Sequence, residues 1–168
     1  LLLAGLMGVT LQGDEQMTKE FFVQEIDAHS EMMYRVAFTI LRNRESCKDA
    51  LQEAVLRAWE KRDTLRDEQF FRTWITRILI NVCCTMQRKS GRMVSMEEIP
   101  EPSVGPPDPT LALVLRTLPA KLRLPLMLCY MEGMSYEEAA AALHIPLTTL
   151  RSRLHRAKKA LRKELDAE

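Results

Sequence analysis

Strand patterns are scarce in this chain of 168 residues, and so is glycine, which occurs six times. Alternating runs of β-branched residues bounded by Asn-Gly or Asp-Gly, which are typical of hairpins, do not occur. Apolar residues instead recur at spacings of three and four, which is the period of an amphipathic helix. The predicted fold class is therefore all-α.

Sequence patterns of catalysis and metal binding are also missing. The four cysteines, Cys47, Cys83, Cys84 and Cys129, form no Cys-x-x-Cys pair, and the three histidines stand apart from them. We interpret the cysteines as reduced thiols that pack as small apolar residues, with a thiol sensor at Cys83 and Cys84 as the alternative. Because no glycine-rich phosphate loop is present, we predict a non-enzymatic protein with no cofactor and no metal.

Membrane-spanning runs are lacking as well. The apolar start LLLAGLMGVTLQ has none of the basic residues that begin a signal peptide, and it is too short to cross a bilayer. We predict that residues 1–16 form a disordered N-terminal extension, and Met17, which is followed by TKEFF, is a candidate for the natural start. The protein is predicted to be cytoplasmic, without membrane insertion.

Basic residues are absent from residues 94–115, and five of the eight prolines lie between residues 93 and 110. Proline removes an amide donor and resists helix formation, and four acidic residues accompany it here. We predict that residues 93–110 form a flexible acidic linker that is disordered in the free chain. The linker separates two small helical modules, 17–92 and 111–168.

Four helices are predicted in each module from the apolar periodicity. In the N-terminal module a cap at Ser46, with Asp49 three residues later, marks the start of the third helix. The predicted ranges there are 18–28, 30–43, 46–62 and 70–89. In the C-terminal module they are 111–117, 119–131, 135–143 and 147–164.

The last two predicted helices have the spacing of a helix-turn-helix. Ser135 and Glu138 form a predicted capping box, and Gly133 stops the preceding helix. The sequence HIP at residues 144–146 then leaves a three-residue turn before the final helix.

Acidic residues are missing from the final helix between Leu147 and Lys163, where seven Lys or Arg occur in a chain whose net charge is only +1. Its apolar stripe is Leu147, Leu150, Leu154, Ala157 and Leu161. The other face presents hydrogen-bond donors suited to phosphates and to guanine in a major groove, namely Thr148, Thr149, Arg151, Ser152, His155, Arg156 and Lys159. A solvated charged face is the alternative, but the lack of interspersed acids and the second position in a helix-turn-helix favour binding to duplex DNA.

Both modules together resemble the extracytoplasmic-function group of bacterial RNA polymerase sigma factors, from about residue 25 to residue 165. In the N-terminal module SEMMYRVAFTILRN looks like the first region of that family, CKDALQEAVLRAWEK its polymerase-binding helix and FRTWITRILINVCCTMQRK its promoter-melting helix. In the C-terminal module LPAKLRLPLMLCYMEGMSYEEAAAALHIPLTTLRSRLHRAKKAL is similar to the fourth region. The resemblance implies a sigma factor that directs promoter-specific transcription initiation.

The resemblance implies three sets of functional residues. Core RNA polymerase would bind a surface that comprises Asp49, Gln52, Glu53 and Arg57. The minus-10 element would be opened, and a flipped base captured, by Arg66, Phe70, Arg72, Trp74, Arg77, Asn81 and Arg88, of which Phe70 and Trp74 have core packing as an alternative. The minus-35 element would be read by Arg151, Ser152, His155 and Arg156, with Thr149 and Lys159 positioning the helix.

The resemblance also implies binding partners, and this sequence differs from the family pattern at two positions of the turn. The family commonly has an anti-sigma factor, so that core polymerase, promoter DNA and an anti-sigma factor are the expected partners. A small residue or Gly is usual in the family where His144 and Thr148 stand, and His tolerates a positive φ better than most residues. The alternative function is a helix-turn-helix regulator that acts without polymerase, which explains the C-terminal module but not the N-terminal one.

Overall fold

The structure, a computed structural model, describes residues 17–91, 113 and 115–166. Within these ranges every regular element is helical and no strand occurs, which confirms the all-α prediction. The predicted extension 1–16 and linker 93–110 lie outside the described residues. The α-helices are α1 Lys19–Leu41, α2 Arg44–Glu60, α3 Phe71–Ser90, α4 Ala120–Leu126, α5 Tyr136–Leu143 and α6 Leu147–Leu165.

The prediction of two helices at 18–28 and 30–43 is wrong, because α1 runs without a break from Lys19 to Leu41. Glycine and proline are absent from this stretch, so that nothing interrupts its backbone hydrogen bonds. Ser30 lies inside the helix and its hydroxyl donates to the Asp27 carbonyl at 2.9 Å. Serine favours helix N-termini, and this hydrogen bond accommodates Ser30 in the interior of a helix.

Helix α2 begins earlier than the predicted cap at Ser46. The Asn43 side chain is the N-cap, and its Oδ1 accepts a hydrogen bond from the Ser46 backbone N–H at 2.8 Å. The prediction of a start at Ser46 is therefore wrong. Asn43 caps the helix by accepting from the Ser46 N–H, so Ser46 lies within the first turn and not at the N-cap. Helix α3 agrees with the predicted range to within one residue at each end.

Helices α1, α2 and α3 pack against one another and form the core of the N-terminal module. Phe22 and Phe71 are each 1% exposed, and their ring centroids lie 6.0 Å apart in an edge-to-face arrangement. Trp59 of α2 joins them, with its ring 5.1 Å from that of Phe22. These aromatic contacts fix how the three helices cross, and so how their outer faces point.

The helix-turn-helix is formed by α5 and α6, and the predicted capping box is confirmed. The Ser135 hydroxyl accepts from the Glu138 N–H at 3.1 Å, and the Ser135 N–H donates to the Glu138 carboxylate at 2.7 Å. His144 ends α5 in the left-handed region with φ 53°, and Gly133 before the helix has φ 65°. The turn at His144 therefore has the positive φ that the family's small residue would adopt most easily.

The helix predicted at 119–131 is α-helical only from Ala120 to Leu126, and it continues as a π-helix over Met127–Met131. The Glu132 N–H donates to the Met127 carbonyl at 3.0 Å across this segment. Apolar periodicity does not distinguish the two hydrogen-bond patterns over so short a stretch. Of the predicted helix 111–117, residues 113 and 115–117 are described and helical.

Candidate DNA and polymerase interfaces

Helix α6 is buried along one side and exposed along the other. Leu150, Leu154 and Ala157 are each 2% exposed or less, and they dock the helix on the rest of the C-terminal module. Thr149 is half-buried. The exposed face contains the other predicted DNA-binding residues, Arg151, Ser152, His155, Arg156 and Lys159.

The basic side chains of α6 are available to a ligand. In the described parts of the chain, no carboxylate forms an ion pair with an Arg or Lys of this helix. Lys158, which is not among the predicted DNA-binding residues, lies 4.7 Å from the centroid of the Tyr130 ring, and its hydrogen bond to the Tyr130 hydroxyl raises the pKa of Lys158. The acid-free face is thus a cationic surface of a helix in the recognition position.

A second exposed face lies on α2. Asp49 and Gln52 are exposed, while the Glu53 carboxylate accepts from the Arg57 guanidinium at 2.6 Å in a half-exposed ion pair. Leu56 lies on the same face and is 43% exposed. Leu56 is not among the predicted polymerase-binding residues, although an apolar residue at helical spacing from Asp49, Gln52 and Glu53 is a sign of a protein-binding face that the sequence already contains.

Helix α3 exposes a polar stripe. Arg77, Asn81 and Arg88 are spaced by four and seven residues and are all exposed, so they share one side of the helix. Arg66 and Phe70 are exposed in the segment that leads into α3, with Phe70 54% exposed. A large aromatic ring on the surface beside this stripe is suited to stacking on an unpaired base.

Trp74 and Arg72 are placed differently from the other predicted minus-10 residues. Trp74 is half-buried against Phe71, and its indole N–H donates to the Thr64 hydroxyl at 3.2 Å, which ties the preceding segment to α3. The Arg72 guanidinium donates to the Glu132 carbonyl in the C-terminal module at 2.8 Å. Trp74 is three residues before Arg77 and seven before Asn81, so it starts on the same side of α3 as the stripe, whereas Arg72 lies on another side of the helix.

The cysteines are poorly suited to ionisation in this fold. Burial raises the pKa of Cys47 to about 11 and that of Cys83 to about 12. Among the described residues, no group of three His, Cys, Asp or Glu is arranged to hold a metal ion. No helix in the same ranges is long and apolar enough to cross a membrane.

Comparison with known proteins shows what each of the two modules is similar to. The family descriptions "Sigma-70 region 2" and "Sigma-70, region 4" match residues 26–93 and 110–161 respectively. The ECF RNA polymerase sigma-E factor of Escherichia coli is 31% identical in an alignment 134 positions long, which covers 67% of this chain and 70% of that protein. The chain belongs to the extracytoplasmic-function family of RNA polymerase sigma factors.

Two further sigma factors, one compared by sequence and one by structure, are similar to this sigma factor. The ECF RNA polymerase sigma factor SigE of Mycolicibacterium smegmatis is 33% identical in an alignment 149 positions long, which covers 80% of this chain and 57% of that protein's length. The sigma factor RpoE of Bartonella quintana, solved in complex with the anti-sigma factor NepR, matches with a TM-score of 0.75 and 25% identity. That similarity covers 90% of this chain and 99% of RpoE, so it extends over both modules.

The three candidate surfaces fall within the matched regions of this sigma factor. The region 2 match includes all of α2 and α3, and with them the α2 face and the α3 stripe. The region 4 match includes α4, α5 and α6 as far as Leu161. Sigma factors are transcription initiation factors, and this chain contains both matched regions, sigma-70 region 2 and sigma-70 region 4.

Proposed function

We propose that this sigma factor recruits core RNA polymerase to promoters by reading the minus-35 element with α6 and opening the minus-10 element with α3. The observation that carries the proposal is the exposed, acid-free face of α6 in the second position of a helix-turn-helix. Residues 111–168 would form the minus-35 module and residues 17–92 the minus-10 module, with 93–110 as the linker. The chain would act in the cytoplasm, where the polymerase and the promoter are.

At the minus-35 element, Arg151 and Arg156 would donate to base edges in the major groove, and Ser152 and His155 would contact bases or nearby phosphates. Thr149 and Lys159 would bind phosphates and set the register of the helix. Support comes from the exposure of the basic side chains and from the burial of the opposite stripe. The helix can thus enter a groove without loss of its own core.

At the minus-10 element, the exposed stripe of Arg77, Asn81 and Arg88 would follow the backbone of the separated strand. Arg66 and the Phe70 ring, which lie beside it, would hold an unstacked base, because flipping a base costs a few kcal/mol that stacking must offset. Trp74 would act indirectly by positioning the segment that contains Phe70. Arg72 would join the DNA surface only after its bond to Glu132 is released.

The α2 face would bind a coiled coil of the largest polymerase subunit. Its mixture of charged residues and the exposed Leu56 fits a protein partner better than DNA, since Asp49 and Glu53 would repel phosphates. An anti-sigma factor is a further proposed partner. The complex of the similar sigma factor RpoE with NepR supports that proposal.

An electrophoretic shift with labelled promoter duplex tests the proposal against the alternative of a polymerase-independent regulator. We expect weak binding by the chain alone and stable, promoter-specific binding when core polymerase is added. A regulator that acts without polymerase would instead give a stable, sequence-specific shift by itself. Core polymerase without the chain is the matched control.

A further inference from the structure

Three polar side chains of the C-terminal module converge outside the sites assigned so far. The Tyr130 and Tyr136 hydroxyl oxygens lie 3.1 Å apart, and the Lys158 Nζ lies 4.7 Å from the centroid of the Tyr130 ring. They come from three elements, the π-helix, the start of α5 and α6. We call Tyr130, Tyr136 and Lys158 the tyrosine-lysine cluster.

The cluster lies at the surface of the module. Tyr130 is 52% exposed, Lys158 is exposed and Tyr136 is partly exposed. Tyr130 belongs to the π-helix, in which the Glu132 N–H donates to the Met127 carbonyl, and such wide turns are rare and frequent at functional sites. Core packing therefore does not account for the position of the Tyr130 ring.

The hydrogen bonds within the cluster leave donors for a ligand. The Lys158 ammonium carries three hydrogens, and its bond to the Tyr130 hydroxyl uses one of them. The two tyrosine hydroxyls carry one hydrogen each, and the bond that joins them uses only one of the two. An ammonium and one hydroxyl can therefore donate to a group that accepts.

The cluster also carries a positive charge without a carboxylate beside it. The groups that shift the pKa of Lys158 are Tyr130, Tyr136 and Cys129, and the bond to Tyr130 raises it. In the ranges that the structure describes, no Asp or Glu forms an ion pair with Lys158. Several donors and one uncompensated charge fit an anion with multiple acceptor oxygens, which is the chemistry of a phosphate group.

The position of Lys158 on α6 indicates which phosphate this is. Arg151 and Lys158 are seven residues apart, or nearly two turns, so they share one side of the helix. Along the axis they are separated by about 10.5 Å, at roughly 1.5 Å per residue. Since the major groove is about 12 Å wide, Lys158 lies at its edge, beside the backbone, when Arg151 contacts a base.

We propose that the tyrosine-lysine cluster binds a backbone phosphate at the edge of the minus-35 major groove and so anchors α6 beyond the residues that read bases. This inference rests on the proposed function for the identity of the DNA, whereas the contact itself is independent of sequence. A free phosphate ion presents the same oxygens as a phosphodiester. The side that Lys158 shares with Arg151 favours the DNA backbone.

Lys158→Gln tests the charge, with Lys163→Gln as the matched control. Lys163 is exposed on the same helix but lies about 18 Å beyond Arg151, outside the groove. Binding to a promoter duplex and to a copy with a scrambled minus-35 element is measured over a salt series, with polymerase holoenzyme and with the chain alone. Lys158→Gln should lower the slope of log affinity against log salt by about 0.9 on both duplexes, so that a roughly fourfold rise in salt costs the unmodified chain about 3.5-fold more affinity than this variant. Lys163→Gln should keep the unmodified slope.

Tyr130→Phe and Tyr136→Phe test the hydroxyls, because each keeps the ring and removes one hydrogen-bonding group. Each should lower affinity for both duplexes by about threefold to tenfold, and neither should change the salt slope, since no charge is lost. Tyr34→Phe is the matched control and should leave affinity unchanged. Tyr34 lies on α1 with its ring stacked on that of Phe38, far along the chain from the cluster.

A methylphosphonate scan of the minus-35 duplex locates the phosphate itself, because this group removes the charge of one phosphodiester at a time. At one position it should weaken binding of the unmodified chain and have no effect on Lys158→Gln. Titration calorimetry of the free chain with inorganic phosphate separates the two sources of phosphate. We expect no binding of the free ion.

Three results would overturn the anchor. They are an unmodified salt slope for Lys158→Gln, a methylphosphonate effect that is equal in both proteins at every position, and binding of inorganic phosphate that Lys158→Gln abolishes, which would assign the cluster to a free anion. Failure of the proposed function looks different. In that case holoenzyme would show no preference for the promoter, while the chain alone, on either duplex at low salt, would still show the lower slope for Lys158→Gln.

Discussion

The positions along α6 predict which side chains read bases and which only bind phosphate. A helix rises about 1.5 Å per residue, so Arg156 lies about 7.5 Å beyond Arg151, Lys159 about 12 Å and Lys163 about 18 Å. The major groove is about 12 Å wide. When Arg151 contacts a base, Arg156 is therefore still within the groove, Lys159 reaches its edge and Lys163 lies outside it.

Arg151→Ala should weaken promoter binding by about 1 to 3 kcal/mol, or roughly 5- to 150-fold, if the arginine is bidentate to a base. The assay is binding of the polymerase holoenzyme to a promoter and to a copy with a scrambled minus-35 element, over a series of salt concentrations. Arg151→Ala should lose affinity mainly on the intact promoter. Lys159→Ala should lose affinity on both the intact and the scrambled promoter, and it should lower the slope of log affinity against log salt by about 0.9.

Lys163→Ala is the charge-matched control and should leave affinity nearly unchanged on both promoters. Equal losses for Arg151→Ala on the intact and the scrambled promoter would show that Arg151 binds only phosphate. That result would refute the assignment of Arg151 to a base.

Three further predictions concern the fold. Leu154→Ala should lower the free energy of unfolding by about 2 to 5 kcal/mol, because Leu154 is 2% exposed; chemical denaturation measures this, and a loss below about 1 kcal/mol would contradict the docking of α6. His144→Gly should raise the free energy of unfolding by about 1 kcal/mol, because the left-handed φ of 53° is costly for a residue with a Cβ. His144→Ala is the control and should not raise the free energy of unfolding. At pH 8 iodoacetamide should alkylate half-buried Cys84 before buried Cys83, whose pKa is raised to about 12; mass spectrometry would contradict this if both react equally fast before unfolding.

Local features of the fold were predictable from the sequence. The capping box at Ser135 and the three-residue turn at His144 depend on residues within four positions of each other. The apolar stripe of α6 likewise follows from its period, and with it the exposed face opposite. Choices between equivalent local signals were not predictable: Asn43 and Ser46 are both good N-cap residues, and propensity does not rank one above the other.

Long-range features could not be predicted from one sequence. The ion pair of Arg35 with Glu132 spans 97 positions, and nothing in either local segment marks the two as partners. The same holds for Arg72, which the resemblance assigns to DNA and which bonds to the Glu132 carbonyl here. The three candidate surfaces could be proposed in advance because each lies on one helix or on that helix and the segment directly before it, whereas the contact between modules depends on how the whole chain packs.

Run-off transcription by core polymerase with the purified chain, on a library of promoter variants, is the most direct test of promoter-specific initiation by this chain. We expect specific transcripts only when the chain is added and only from templates that carry both a minus-35 and a minus-10 element. Arg156→Ala should reduce these transcripts. No specific initiation above that of core polymerase alone, on any template, would contradict it.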